Sequence, residues 1–134
     1  MASSTLAPYL SSTTTKSFSL ASQGADLVLW RDPTTSRSLA RPYTVSLIRK
    51  IGPQNAKGND HVTLKISRTE SNAATGQPVT AYCSLDISIP RDTSCIAAGN
   101  VQELVALLGS LLFNSTATPA TLTNIIALVN GTDL

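Results

Sequence analysis

Reactive chemistry is scarce in this chain. Its 134 residues include one histidine, His61, and two cysteines, Cys83 and Cys95. The cysteines stand twelve positions apart with no His or Cys beside them, which is not a zinc-binding pattern, so free thiols are expected, with a disulfide as the alternative. A hydrolytic triad would have to be built on His61, yet no nucleophile-elbow sequence accompanies it, and its plain reading is an exposed strand residue. Carboxylates are few and scattered, which argues against a paired acid and base. No P-loop, dinucleotide fingerprint or metal-spaced cluster occurs. The expectation is therefore no enzyme, no metal and no cofactor. No apolar run is long enough to span a bilayer, and "MASSTLAPYL" lacks the basic and apolar regions of a signal peptide, so the default expectation is a cytosolic protein. On that expectation the sequons at Asn114 and Asn130 are chance matches.

Charge is also sparse. Only 13% of residues are charged while 42% are apolar, a balance that fits one globular domain, residues 1–134, rather than a disordered chain. So little charge suggests that much of the surface meets other protein. The net charge of +2 does not by itself point to nucleic acid, but its distribution is uneven. Eight of the ten Lys and Arg lie from Arg31 to Arg68, opposed there only by Asp32 and Asp60, and none follows residue 91.

What is abundant is alternation. Residues 1–30 read as two short strands joined near Gln23 and Gly24, with a disordered tail as the competing reading. Between residues 43 and 90 three segments alternate. In "YTVSLIRK", Val45 and Leu47 oppose Thr44 and Ser46. In "HVTLKIS", Val62, Leu64 and Ile66 oppose His61, Thr63, Lys65 and Ser67. In "TAYCSLDISIP", Cys83, Leu85, Ile87 and Ile89 oppose Tyr82, Ser84, Asp86 and Ser88. The stretch from Arg68 to Thr80, weakly hydrophobic, reads as a long variable loop.

From residue 100 the period changes to that of a helix. Val101, Leu104, Val105, Leu108, Leu111 and Leu112 form one stripe, with Asn100 as the expected N-cap and Glu103 completing a capping box. "TPATLTNIIALVNG" carries start and stop signals for a second helix ending near residue 130, with Leu122, Ile125, Ile126 and Val129 as its stripe. Strands followed by helices predict an α+β domain, a meander sheet with two C-terminal helices on one face. The polar strand positions then gather on the other face. Tyr82 offers a surface on which a base can stack, the hydroxyls can read base edges, Lys65 can meet phosphate, and Asp86 can accept from an amino group. The bland alternative is an ordinary solvated face.

The order "SRS", "YTVSL", the turn "NAK", "VTLKI", a variable loop, "AYCSLDISIP" and two helices resembles the coat proteins of small single-stranded RNA bacteriophages, the leviviruses. The likeness spans residues 30 to 130. It implies an interlocked homodimer with one continuous sheet, the RNA-phage coat fold, assembling into an icosahedral shell around single-stranded genomic RNA. It further implies a hairpin operator bound on the interior sheet face, for translational repression and packaging, in a virion assembled in the bacterial cytoplasm. On this resemblance Thr44, Ser46, Thr63 and Lys65 match an adenine pocket, Tyr82 matches a stacking tyrosine flanked by Ser84 and Asp86, and Lys57 matches a phosphate contact. Ile48 departs from a basic or polar position, and Ser84 and Ser67 also differ, which implies a changed hairpin preference. The loop after Arg68 matches one that adapts its conformation around symmetry axes. The alternative reading is a dimeric, sheet-surface translational regulator that builds no shell.

Overall fold

The computed structural model describes residues 2–8, 15–34, 40–52, 57–92 and 94–112. Two compact units make up the chain, one of Met1–Pro8 with Lys16–Arg91, the other of Tyr9–Thr15 with Asp92–Leu134. The first is a six-stranded antiparallel meander in which every strand pairs with its neighbour in sequence: β1 (Thr5–Leu6), β2 (Phe18–Gln23), β3 (Leu27–Arg31), β4 (Tyr43–Lys50), β5 (Asn59–Ser71) and β6 (Pro78–Pro90). The register between β2 and β3 shifts between Leu20 and Ser22, a bulge-like irregularity.

Alternation produces the core. Val28 and Trp30 on β3, Phe18 on β2 and Val45 on β4 share one sheet face and are buried, with Leu6, Leu20, Tyr43 and Leu47 packed against them. Full burial of a side chain such as Phe18 or Val28 contributes roughly 1.5–3 kcal/mol. Phe18 meets Tyr43 edge to face at 5.2 Å, and the Trp30 indole N–H donates to the Ser3 carbonyl at 2.8 Å, fastening the N-terminal segment to the sheet. At one end of this face Asp32 is buried yet fully engaged. It pairs with the Lys16 ammonium at 2.6 Å and accepts from the Thr34 amide at 2.9 Å and hydroxyl at 2.5 Å.

The β5–β6 hairpin corrects the expectation of a loop from Arg68 to Thr80. The ladder continues through Arg68–Ala81, Thr69–Thr80, Glu70–Val79 and Ser71–Pro78, leaving only residues 72–77 as the turn. Polar groups, not apolar ones, hold this extension. The Thr69 and Thr80 hydroxyls lie 2.8 Å apart, Arg68 reaches Glu70 at 2.8 Å, and the Thr69 amide donates to Pro42 O at 2.9 Å. Asn72 organises the turn, its side-chain oxygen accepting from the amides of Ala74 and Thr75 and its carbonyl from Gly76, which sits at φ +69°.

At the opposite end of the sheet, Arg91 donates to Asp60 through Nε at 3.0 Å and Nη2 at 2.6 Å, and also to the Gly52 carbonyl. The Arg91 hydrogen bond holds the Asp60 carboxyl below the usual carboxylate range. The clamp closes the β4–β5 connection beside Lys57 and Gly58, the latter at φ +116°.

In the second unit, α1 spans Ala98–Leu112. It begins earlier than the expected N-cap. Asn100 lies inside the first turn, and its side-chain oxygen accepts from the Ala97 amide at 2.9 Å, so Asn100 supplies the reaching-back half of a capping box, and Ala97 occupies the cap position. Ala97 has no polar side chain, so the cap position carries no signal in the sequence. Along α1, Leu104 and Leu108 of the apolar stripe are exposed and Val101 is half-buried. The second expected helix and its stripe from Leu122 to Val129 lie outside the described residues.

Candidate nucleic-acid interface

Directly opposed residues in an antiparallel ladder project to the same face, so the register assembles rows across β3, β4, β5 and β6. One row is Arg31, Thr44, Ser67 and Tyr82; the next is Leu29, Ser46, Lys65 and Ser84; the next is Leu27, Ile48, Thr63 and Asp86. A last, shorter row holds Lys50, His61 and Ser88. Seven of the eight expected site residues therefore share one face, opposite the Phe18–Trp30 core. The eighth, Lys57, is exposed at the mouth of the β4–β5 connection.

Specific contacts tie the rows together. Lys65 carries its ammonium over the Tyr82 ring, 4.3 Å from the centroid, while Tyr82 itself remains 67% exposed. A cation on one ring face and solvent on the other leave Tyr82 held in place with one stacking surface open. Thr63 donates its hydroxyl to Asp86 at 2.5 Å, and Asn59 donates to the Ser88 hydroxyl at 2.7 Å. Thr44, Ser46, Thr63 and Lys65 are half-buried, whereas Ser84 and Asp86 are exposed on the last strand.

The basic stretch of the sequence does not map onto this face as a block. Strand parity divides it. Arg31, Lys50 and Lys65 join the polar rows, whereas Arg49 and Arg68 pair across from Val62 and Tyr43 on the opposite face. Arg68 stacks 5.5 Å from the Tyr43 centroid and bonds Glu70, and Arg41 also pairs with Glu70. Arg31 is absent from the expected site, although its parity with Leu27 and Leu29 on β3 is readable in the sequence. A cavity of about 270 Å³, lined by Ser3, Gln23, Trp30 and Arg49 among others, lies away from the polar rows. Among the described residues no group of three His, Cys, Asp or Glu could hold a metal, and both cysteines are free and exposed.

No protein-family model and no curated protein sequence matches the chain. Solved structures do. The virus-like particle of bacteriophage AVE019 aligns over 87% of this chain and 91% of its own, with a TM-score of 0.66 at 18% identity. The virus-like particle of Beihai levi-like virus 21 aligns over 100% and 98%, with a TM-score of 0.69 at 9% identity. The bacteriophage GA protein capsid aligns over 97% and 95%, with a TM-score of 0.56 at 17% identity. This chain has the levivirus coat-protein fold. At such low identity it is the backbone, not the side chains, that these proteins share. In this example of the coat fold, the polar face is built from the chain's own Thr63–Asp86 and Lys65–Tyr82 contacts.

Proposed function

We propose that this chain is a capsid subunit. Two copies join edge to edge through β6 into one continuous sheet, interlock through their C-terminal helices, and close as dimers into an icosahedral shell around single-stranded RNA. The observation that carries this reading is the unfinished edge of the sheet. β6 is thirteen residues long and has a strand neighbour on one side only among the described residues. Beside it, on the apolar face, Leu64 and Ile66 stand 42% and 37% exposed. A long open edge flanked by uncovered apolar residues is a template for another strand, and a second copy supplies one. The exposed stripe of α1 calls for a cover in the same way.

The polar rows face the enclosed genome on this reading, with Thr44, Ser46, Thr63 and Lys65 at the centre, Tyr82, Ser84 and Asp86 toward the edge, and Lys57 at the phosphate backbone. Binding an RNA hairpin there would repress translation and mark the genome for packaging, with assembly in the bacterial cytoplasm and residence in the virion. Stacking on Tyr82 contributes about 1–3 kcal/mol.

Expression of the chain alone tests the proposal. Electron microscopy is expected to reveal uniform particles whose RNA resists nuclease. Soluble dimers that bind hairpins without forming particles would leave a translational regulator instead, and monomers would reject both readings. Tyr82→Ala and Lys65→Ala are expected to weaken hairpin binding about tenfold or more while leaving the dimer intact. Unchanged affinity in both variants would move the RNA site elsewhere.

A further inference from the structure

The polar face is not uniformly suited to phosphate. Its outer rows contain Arg31 at one end and Lys50 with His61 at the other, while the row of Leu27, Ile48, Thr63 and Asp86 between them has no cation. Asp86 is exposed and forms no ion pair among the described residues; its carboxylate accepts from the Thr63 hydroxyl. A phosphate placed here would meet a carboxylate and two aliphatic side chains. An unpaired base would find the reverse, an apolar floor at Ile48 and Leu27 and an acceptor at its edge. Ile48 and Asp86 are two strand spacings apart, about 10 Å, enough for a purine to lie across Thr63 between them.

The hydrogen bonds that Thr63 and Asp86 can still make discriminate among bases. The Thr63 hydroxyl proton is committed to Asp86, so the pair presents acceptors to an incoming base. A carboxylate accepts two parallel N–H bonds, and the Watson–Crick edge of guanine provides them through its ring N1–H and its amino group. Adenine and cytosine each set a ring nitrogen acceptor beside their amino donor, which places lone pair against carboxylate oxygen. Uracil has a single ring N–H between two carbonyls.

We propose that Asp86, oriented by Thr63, is a specificity-determining residue that selects an unpaired guanine in the bound RNA. The inference rests on the RNA-face reading above and adds to it the identity of one base. Lys65 remains with Tyr82 in this arrangement, and the anionic row directs the phosphate backbone to the cationic rows on either side.

The test is selection of RNA hairpins from a pool with randomised loops, using unassembled dimers of the wild-type protein and of Asp86→Asn. Wild type is expected to enrich guanine at one loop position, and Asp86→Asn to lose that preference while still retaining hairpins. In a selected hairpin, replacing that guanine by inosine, which lacks the amino group, should weaken wild-type binding about tenfold and Asp86→Asn far less. Hairpins enriched without a guanine preference, or a preference and inosine effect unchanged in Asp86→Asn, overturn the assignment and leave the RNA face standing. Failure to retain any hairpin overturns both. The inosine measurement uses wild-type protein and is independent of how the variant folds.

Discussion

Asp32 illustrates how a single residue in this chain can be buried and charged at once. Burial pushes its carboxyl up, but the Lys16 ammonium and the two Thr34 hydrogen bonds outweigh that and hold its pKa at about 2. A folded-state value below the ordinary 3.8 means that this contribution to stability is complete above about pH 4 and is lost as the pH falls toward 2. The shift corresponds to about 2 kcal/mol. Asp32→Asn is expected to lower stability by roughly that amount at neutral pH and to flatten the loss between pH 4 and pH 2, measured by chemical denaturation across that range. A variant as stable as wild type at pH 7 would mean that Lys16 and Thr34 do not reward the ionised form.

The β5–β6 hairpin is an element whose length depends on its turn. Gly76 sits at φ +69°, and a Cβ added there would meet nothing within 4 Å, so the cost of a side chain is conformational rather than steric. Gly76→Ala is expected to destabilise the protein by about 1 kcal/mol, and Gly76→Asn by less, because asparagine tolerates the left-handed region. Equal losses in thermal denaturation would place the cost elsewhere. The same element marks where sequence reasoning succeeds and where it stops. Val62, Leu64 and Ile66, and Cys83, Leu85 and Ile87, announce two strands by strict alternation. The extension through Thr69, Glu70 and Ser71 is held by hydroxyls and an ion pair and carries no apolar signal. β1, with two residues, has too few positions to alternate at all. Within each strand, parity is enough to gather Thr44 with Ser46, Thr63 with Lys65, and Tyr82 with Ser84 and Asp86. That Thr63 meets Asp86 and Lys65 meets Tyr82 depends on cross-strand register, which turn lengths set and composition does not.

Over the whole molecule, charge and apolar surface are unevenly divided. All ten Lys and Arg precede residue 92, against five Asp and Glu there, a balance of +5, while Asp92, Glu103 and Asp133 give the remainder −3. Attraction to a polyanion therefore belongs to residues 1–91, and the rest of the chain contributes none. The sheet's own buried core is small for its area, centred on Phe18, Val28, Trp30 and Val45, while Leu64, Ile66, Leu104 and Leu108 remain uncovered in a single chain. Stability drawn from a second copy depends on mass action. The melting temperature of unassembled protein is expected to rise with protomer concentration, and a concentration-independent value would indicate a self-sufficient monomer.

β6 begins and ends with proline. Proline has no amide hydrogen to give, so at both ends of the strand a docking chain finds a missing donor where the ladder would otherwise run on. An open edge thirteen residues long is the kind of surface from which fibres grow when register is loose. Pro78 and Pro90 act as end-stops on that growth. In the dimer proposed above they disfavour slipped pairings and favour one finite overlap centred near Ser84, so that a second copy would consume the edge instead of propagating it.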